Sequence, residues 1–248
     1  MGNKIFTFKQ FSVNQDRCAM KVGTDAVLLG AWTAIQGSKN ILDIGSGTGI
    51  LCLMLAQRME DIADEQSSKG FSIRGIEIDS DAYLQSVENC KKSKWSHRIE
   101  IENISFQQFV LNLNHKFDLI ISNPPFFQKD LLSANEQKNK ARHNTELSFA
   151  DLVNGIKLAL NEQGKFTCIL PFREANLFIE ECKKENLHLR RLTKVFSSQK
   201  KNEVKRLLMQ FEWKEGELQI NELYIEKENR HDYTETYQLL TKDFYLKF

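Results

Sequence analysis

Leu42-Asp43-Ile44-Gly45-Ser46-Gly47-Thr48-Gly49-Ile50 sets three glycines at alternate positions between an apolar run, Asn40 to Ile44, and a stretch with helical patterning, Ile50 to Met59. Glycine lets a backbone turn sharply and approach a ligand closely. A dinucleotide-binding loop spaces its glycines G-x-G-x-x-G, whereas this one reads G-x-G-x-G with Ile50 in the sixth place. Asp43 stands immediately ahead of the loop, where it would repel a pyrophosphate. A carboxylate there suits a ligand bearing an ammonium group. Outward from this point strand and helix patterns alternate. Phe71 to Asp79 is expected as a strand, Ser80 to Lys94 as a charged amphipathic helix with Ser80 as its cap, and Ile99 to Asn103 as a third, alternating strand. Phe117 to Ser122, continuously apolar, suits a strand buried on both faces. Ser148 to Leu160 follows as a helix closed by Gly164, then strand Lys165 to Leu170, helix Arg173 to Glu185, and strands Leu189 to Phe196 and Val204 to Trp213. A strand near Leu218 to Ile225 and a helix near Thr234 to Thr241 close the chain. The alternation predicts a doubly wound, mostly parallel α/β sheet, which binds ligands beyond the carboxyl ends of its strands.

The informative motifs fall at those ends. Gly75-Ile76-Glu77-Ile78-Asp79 closes the second strand with two acidic residues at its end. Glu77 is placed to accept hydrogen bonds from a ribose diol, and Asp79 to start the next helix. Phe117-Asp118-Leu119-Ile120-Ile121-Ser122 runs into Asn123-Pro124-Pro125-Phe126. Two prolines fix φ and remove two backbone donors, so the bend presents acceptors, the Asn123 side-chain oxygen and the Pro124 carbonyl, beside the flat face of Phe126. A planar group with an NH2 fits: both hydrogens are accepted while the ring stacks, and the nitrogen lone pair is localised.

Asp43-x-Gly45-x-Gly47-x-Gly49 resembles motif I of the class I S-adenosylmethionine methyltransferases. Asn123-Pro124-Pro125-Phe126 resembles motif IV of the amino-methyltransferases, whose usual aromatic is tyrosine. Gln15-Asp16-Arg17-Cys18-Ala19-Met20-Lys21-Val22-Gly23-Thr24-Asp25, continuing to Trp32, resembles the opening of the bacterial tRNA(Val) adenine-N6 methyltransferases. The likeness covers nearly the whole chain. It implies a Rossmann-like, seven-stranded sheet in a single methyltransferase domain over 1–248, with an N-terminal extension over the cofactor site (1–38), a core (39–213) and a C-terminal strand and helix (214–248). It implies S-adenosyl-L-methionine as methyl donor, S-adenosyl-L-homocysteine as product, and the N6 amine of adenine 37 in tRNA(Val) as acceptor. Asn123, Pro124, Pro125 and Phe126 are then catalytic. Lys21, Gly23, Thr24, Asp43, Gly45, Gly47, Gly49, Glu77, Ser105 and Asn123 line the cofactor. Ser105 stands where relatives carry an acidic residue toward the adenine amine. Thr24 could equally cap the helix Asp25 to Trp32, and the two roles are compatible.

The composition is that of an ordinary folded chain: 41% hydrophobic and 27% charged over 248 residues, with 17 Phe and 3 Trp. No apolar run reaches the length of a membrane span, no signal sequence opens the chain, and the five cysteines contain no CxxC pair, so no metal site is expected and the cytoplasm is the default compartment. Cys52 and Cys168, inside apolar runs, are expected as small buried hydrophobes. Average usage would give about 12 prolines. There are three, two of them adjacent in the motif.

The net charge of +1 conceals a division. From Lys183 to Arg206 nine basic residues face two acidic ones, a net of +7 that leaves −6 for the remainder. Concentrated positive charge suits phosphate. Arg190, Arg191, Lys194, Lys200 and Lys201 are expected to contact RNA, with Arg142 from the polar stretch Phe127 to Glu146, which could close over a flipped base. His143 is expected at the surface or on phosphate. The expected partner is tRNA, and the expected state a monomer. Adenine in DNA, guanine N2 in rRNA or a protein glutamine amide are alternative acceptors. A nicotinamide-dependent oxidoreductase is opposed by the glycine spacing and Asp43, and a non-catalytic RNA-binding module by the intact Asn123-Pro124-Pro125-Phe126.

Overall fold

Asn40–Ile44 (β3), the strand that feeds the glycine loop, is buried from Ile41 onward and lies in the middle of the sheet. The computed structural model describes residues 4–62, 70–124 and 147–248. The other strands are Ile5–Thr7 (β1), Ser12–Asn14 (β2), Ser72–Glu77 (β4), Ile99–Asn103 (β5), Phe117–Ser122 (β6), Leu160–Pro171 (β7), His188–Ser198 (β8), Val204–Glu212 (β9) and Gln219–Glu226 (β10). The described helices are Thr24–Trp32 (α1), Ile50–Asp61 (α2), Ser80–Lys91 (α3), Phe106–Leu111 (α4), Phe149–Ala159 (α5), Phe172–Lys184 (α6) and Glu235–Thr241 (α7). The main sheet runs β10-β8-β9-β7-β6-β3-β4-β5, and within it only β9 is antiparallel to its neighbours.

The doubly wound, mostly parallel sheet is as expected, but it has eight strands rather than seven. The eighth, β10, pairs with β8 from Gln219↔Arg191 to Glu226↔Ser198 and buries Leu223 against the core. Strand β7 begins five residues before Lys165, through a register irregularity opposite Phe117 and Leu119. Gly164 therefore lies inside β7 and closes no helix.

Two apolar layers cover the two faces. One gathers Val27, Leu28 and Leu29 of α1, Leu51 to Ala56 of α2 and Tyr237 of α7. The other gathers Phe106 and Phe109 of α4, Val153 and Ile156 of α5, and Phe178 of α6. Alternate residues of β3 serve both, Ile41 the first and Leu42 and Ile44 the second, which is why the strand carries no polar face. The β1–β2 hairpin, not anticipated from sequence, joins the first layer through Phe8, Phe11 and Val13. Phe8 and Phe11 rings lie 4.8 Å apart, and Phe11 meets Trp95 edge-on at 6.0 Å. Lys9 donates to the Lys242 and Phe248 carbonyls, both at 2.6 Å, so the two ends of the chain are tied together. Cys52 and Cys168 are fully buried, as their apolar surroundings imply.

Candidate active site at the carboxyl edge of the sheet

Strands β6, β3, β4 and β5 lie side by side in that order and point the same way. Their carboxyl ends therefore set Asn123, the glycine loop, Glu77 and Ser105 in one row.

The loop is held by its neighbour strand. Gly45, Gly47 and Gly49 all have positive φ, at 75°, 52° and 78°. The Gly45 and Ser46 amides donate to the Ile76 carbonyl at 3.0 and 2.9 Å. The Gly47 amide donates to Glu77 Oε2 at 2.8 Å, and the Asp79 amide to Glu77 Oε1 at 2.9 Å. One buried carboxylate thus clamps the loop to the end of β4. Asp79 lies beyond the end of β4 and caps α3, accepting from the Ala82 amide at 2.8 Å. The cap is Asp79 rather than Ser80, because Ser80 is already the first helical residue. A Cβ on Gly49 would stand 3.1 Å from Cys90 Sγ and 3.3 Å from Ser86 Cβ, whereas one on Gly45 or Gly47 would meet nothing within 4 Å.

Asp43 is fully buried. Its Oδ2 accepts from the Cys52 thiol at 3.3 Å, and its Oδ1 has no partner among the described residues. Burial pushes its pKa up from 3.8 to about 7, the Cys52 contact working against this and the field of Glu77 adding to it. The Ser46 hydroxyl is likewise buried without a partner. These orphaned groups lie at the start of the loop, where an ammonium or hydroxyl of a ligand would satisfy them.

The acceptor side of the row is Asn123. The preceding residue, Ser122, is fully buried and donates from Oγ to the Ile44 carbonyl at 2.8 Å, tying the end of β6 to the last residue before the glycine loop. Asn123 Oδ1 is shielded from solvent and accepts no hydrogen bond from the described residues. Pro124 is buried. Pro125, Phe126, Arg142 and His143 lie outside the described residues.

The N-terminal stretch passes along the same row. Gln15 Oε1 accepts from the Val22 amide at 2.8 Å, and Gln85 Oε1 from the Arg17 amide at 2.9 Å. The Cys18 thiol is pushed up to about 11, by burial first and then by the fields of Glu77, Asp79 and Asp16. Lys21, Gly23 and Thr24 are exposed. Thr24 does not cap α1: it is the first helical residue, and Gly23 occupies the cap position without a side chain. Asp25 instead pairs with Arg206 of β9 at 2.8 Å. Ser105 caps α4, accepting from the Gln108 amide at 3.3 Å.

Asn89 was not anticipated. Its Nδ2 donates to the Asn14 and Thr48 carbonyls and its Oδ1 accepts from the Asn14 amide, each at 2.9 Å. It joins the N-terminal hairpin, α3 and the glycine loop. In the sequence it is one polar residue among many on a charged helix, and nothing there marks it.

The basic segment is divided by the fold. Lys183 and Lys184 end α6 at the far edge of the sheet and pair with Glu180 and Glu181. Arg191 lies 3.7 Å over the Trp32 ring and donates to the Trp32 carbonyl at 2.6 Å, closing the end of α1. Arg190 is half-buried, with Nε and Nη1 shielded. Lys194, also half-buried, sits between Leu207 of β9 and Glu222 of β10. Lys200 and Lys201 are exposed in the β8–β9 turn. That turn stands at the same edge as Asn123, because β8 runs parallel with β6 and β7.

The methyltransferase small domain family matches residues 19–143. A crystal structure described as that of a predicted O-methyltransferase from Agrobacterium tumefaciens superposes with a TM-score of 0.68 at 16% identity, over 89% of this chain and 96% of that one. A ribosomal protein L11 methylase from Lactobacillus delbrueckii gives 0.51 at 15%, over 77% of each. Fold and family together define a methyltransferase. Trichodesmium erythraeum and Christiangramia forsetii each have a relative 41% identical to this chain, covering 100% of both sequences. One from Escherichia fergusonii is 40% identical over 97% of this chain and 94% of its own length. All three are named tRNA1(Val) (adenine(37)-N6)-methyltransferase, and the chain belongs to that family.

Proposed function

We propose that the protein transfers the methyl group of S-adenosyl-L-methionine to the N6 amine of adenine 37 in tRNA(Val). The family supports the reaction and the acceptor. The observation that carries the chemistry is two shielded oxygens with no partner among the described residues at adjacent strand ends, Asn123 Oδ1 just beyond β6 and Asp43 Oδ1 on β3.

The residues present fit the donor. Asp43 and Ser46 offer orphaned groups to its methionine end, and the open space over Gly45 and Gly47 lets it lie against the backbone. Glu77 spends one lone pair of each oxygen on an amide; a carboxylate has about four, so a ribose diol can still be accepted. Ser105 spends its donor and one acceptor position on Gln108, leaving one acceptor position for the adenine amine. Lys21, Gly23 and Thr24 lie on the N-terminal stretch that passes this row and complete the proposed cofactor wall. When bound, S-adenosyl-L-methionine supplies a methyl group made electrophilic by its sulfonium.

The remaining work belongs to the chain. Asn123 Oδ1 and the Pro124 carbonyl each accept one hydrogen of the target amine, localising the nitrogen lone pair and aiming it. Pro125 stiffens the bend and Phe126 stacks on the adenine. Holding the nucleophile in line replaces a bimolecular encounter by an oriented one. One of the amine hydrogens is released to water once the new N–C bond has formed. Lys194, Lys200, Lys201 and Arg142 meet RNA phosphates, while Arg190 and Arg191 chiefly support the sheet edge that carries them. We further propose that 1–248 works as one domain and as a monomer, and that it acts in the cytoplasm on its tRNA substrate. Among the described residues no helix is long and apolar enough to cross a membrane.

The test is labelled methyl transfer to total RNA, DNA and protein, with nucleoside analysis of the labelled fraction. N6-methyladenosine in the tRNA fraction is expected. Label confined to DNA or protein would move the acceptor.

A further inference from the structure

Phe172 is 44% exposed at the first residue of α6, and its ring touches no other ring among the described residues. Topology fixes where it stands. Strand β7 runs parallel to β6 with Ser122 opposite Cys168, then continues three residues further to Pro171. Phe172 is therefore one strand across from Asn123 and, at about 3.3 Å per residue, about 10 Å further out from the sheet.

Positive charge gathers at this corner. Arg173 follows in the chain and is exposed. Arg206 lies opposite Pro171, which brings the start of β9 to the same place. The turn before β9 holds Lys200 and Lys201, which make no ion pair within 4 Å among the described residues, and Lys205 follows it. Lys205 first, by hydrogen bond and charge, then Lys201 and Arg173 hold the Glu203 carboxylate below its usual range. Lys205 pairs with Glu203 at 2.5 Å, but Glu203 is exposed and Lys205 only half-buried, so solvent and salt screen the pair. A phosphate can replace it.

We propose that Phe172, with Arg173, Lys200, Lys201 and Lys205, binds the nucleotides that flank the target adenine, the Phe172 ring stacking on one of their bases. This deepens the assignment of tRNA as substrate and rests on it. An unpaired base has two apolar faces and a charged backbone, and single-stranded RNA is held by aromatic stacking beside cations. A phenyl ring has no polar handle, and among the described residues no other ring covers this one. Stacking a neighbour of the target would hold the strand open and leave the adenine itself to enter beside Asn123.

The experiment uses the full chain with S-adenosyl-L-homocysteine and a fluorescent, unmodified tRNA(Val) anticodon stem-loop, read by anisotropy. Phe172→Ala is expected to weaken RNA binding about tenfold, toward the lower end of the stacking contribution of one base. Phe172→Tyr should restore it and Phe172→Leu should not, while affinity for S-adenosyl-L-homocysteine and melting temperature stay near wild type. Equal RNA affinity for wild type and Phe172→Ala, or restoration by leucine as complete as by tyrosine, overturns the proposal. Methyl transfer by wild-type protein, measured on the same preparation, reads the substrate assignment independently: a wild type that methylates tRNA while Phe172→Ala binds it unchanged defeats this surface alone.

Discussion

Replacing Asp43 by asparagine should stabilise the free protein and weaken its hold on the methyl donor. Asp43 has no access to solvent, a thiol on one oxygen and nothing on the other. Burial first, and the Glu77 field in addition, raise its pKa from 3.8 to about 7. At 1.36 kcal/mol per decade, a rise of about three decades corresponds to about 4 kcal/mol. The sign follows from proton binding. Between pH 4 and 7 the folded chain keeps a proton that the unfolded chain has released, so wild-type stability is full below about pH 4 and falls as pH rises toward 7. Above 7 both states are ionised and the loss is complete. Asparagine has the same shape and no such slope, so at pH 8 the variant should exceed wild type by about 2–4 kcal/mol, with discounting for relaxation around the site. Urea unfolding across pH 4 to 8 measures this. Donor binding goes the other way. An ammonium beside Asp43 favours the ionised carboxylate, so wild-type affinity for S-adenosyl-L-methionine should rise with pH through 7. The asparagine variant should bind it at least about tenfold less tightly at pH 8, a difference of about 1.4 kcal/mol. Parallel stability curves for the two proteins, or equal dissociation constants by calorimetry, would refute the reasoning.

Three further outcomes are expected. Asn123→Ala should leave donor affinity near wild type and lower kcat at least about tenfold, about 1.4 kcal/mol of transition-state stabilisation; unchanged single-turnover rates would remove Asn123 from the chemistry. Gly49→Ala should destabilise the fold by more than about 1 kcal/mol, since φ is 78° and the new methyl meets Cys90 and Ser86; thermal melting would show a drop of at least about 2 °C for a chain of this size, and an unchanged melting temperature would count against the packing described. Arg191→Ala should lower stability by about 1–2 kcal/mol through loss of the Trp32 stack yet leave the salt dependence of RNA binding unaltered, whereas removing Lys200 and Lys201 together should lower that slope by about 1.4, two single-strand phosphate contacts. The reverse pattern would return the RNA to the middle of β8.

These contrasts also mark how far the sequence could be read. The glycine loop was legible because three left-handed backbone positions in seven residues leave only one residue type, and Asp43 because a carboxylate before such a loop is chemically odd. Glu77 and Asp79 part because β4 ends at Glu77 and Asp79 is already the cap of α3; alternation would have put residues two apart on one face. Other features depend on packing that leaves no pattern. The β1–β2 hairpin has strands of three residues, too short for a period, and helix α4 has six. Asn89 acts through three backbone groups far away in the chain and looks like any polar helix residue. Thr24 missed the cap position by one place, because Gly23 already supplies the extended backbone there. The basic segment needs the fold for a different reason. Summed along the chain it is one +7 block, but a strand of eleven residues carries its members from one edge of the sheet to the other. Only the part that reaches the carboxyl edge stands near Asn123.

The central claim is that this row of strand ends methylates one adenine amine. The most direct measurement is transfer of labelled methyl from S-adenosyl-L-methionine to two unmodified tRNA(Val) transcripts, one carrying adenine and the other guanine at position 37, with the modified nucleoside mapped after digestion. The account predicts N6-methyladenosine at position 37 of the first transcript and no label in the second. Equal labelling of both, or a labelled nucleoside other than N6-methyladenosine, would contradict it.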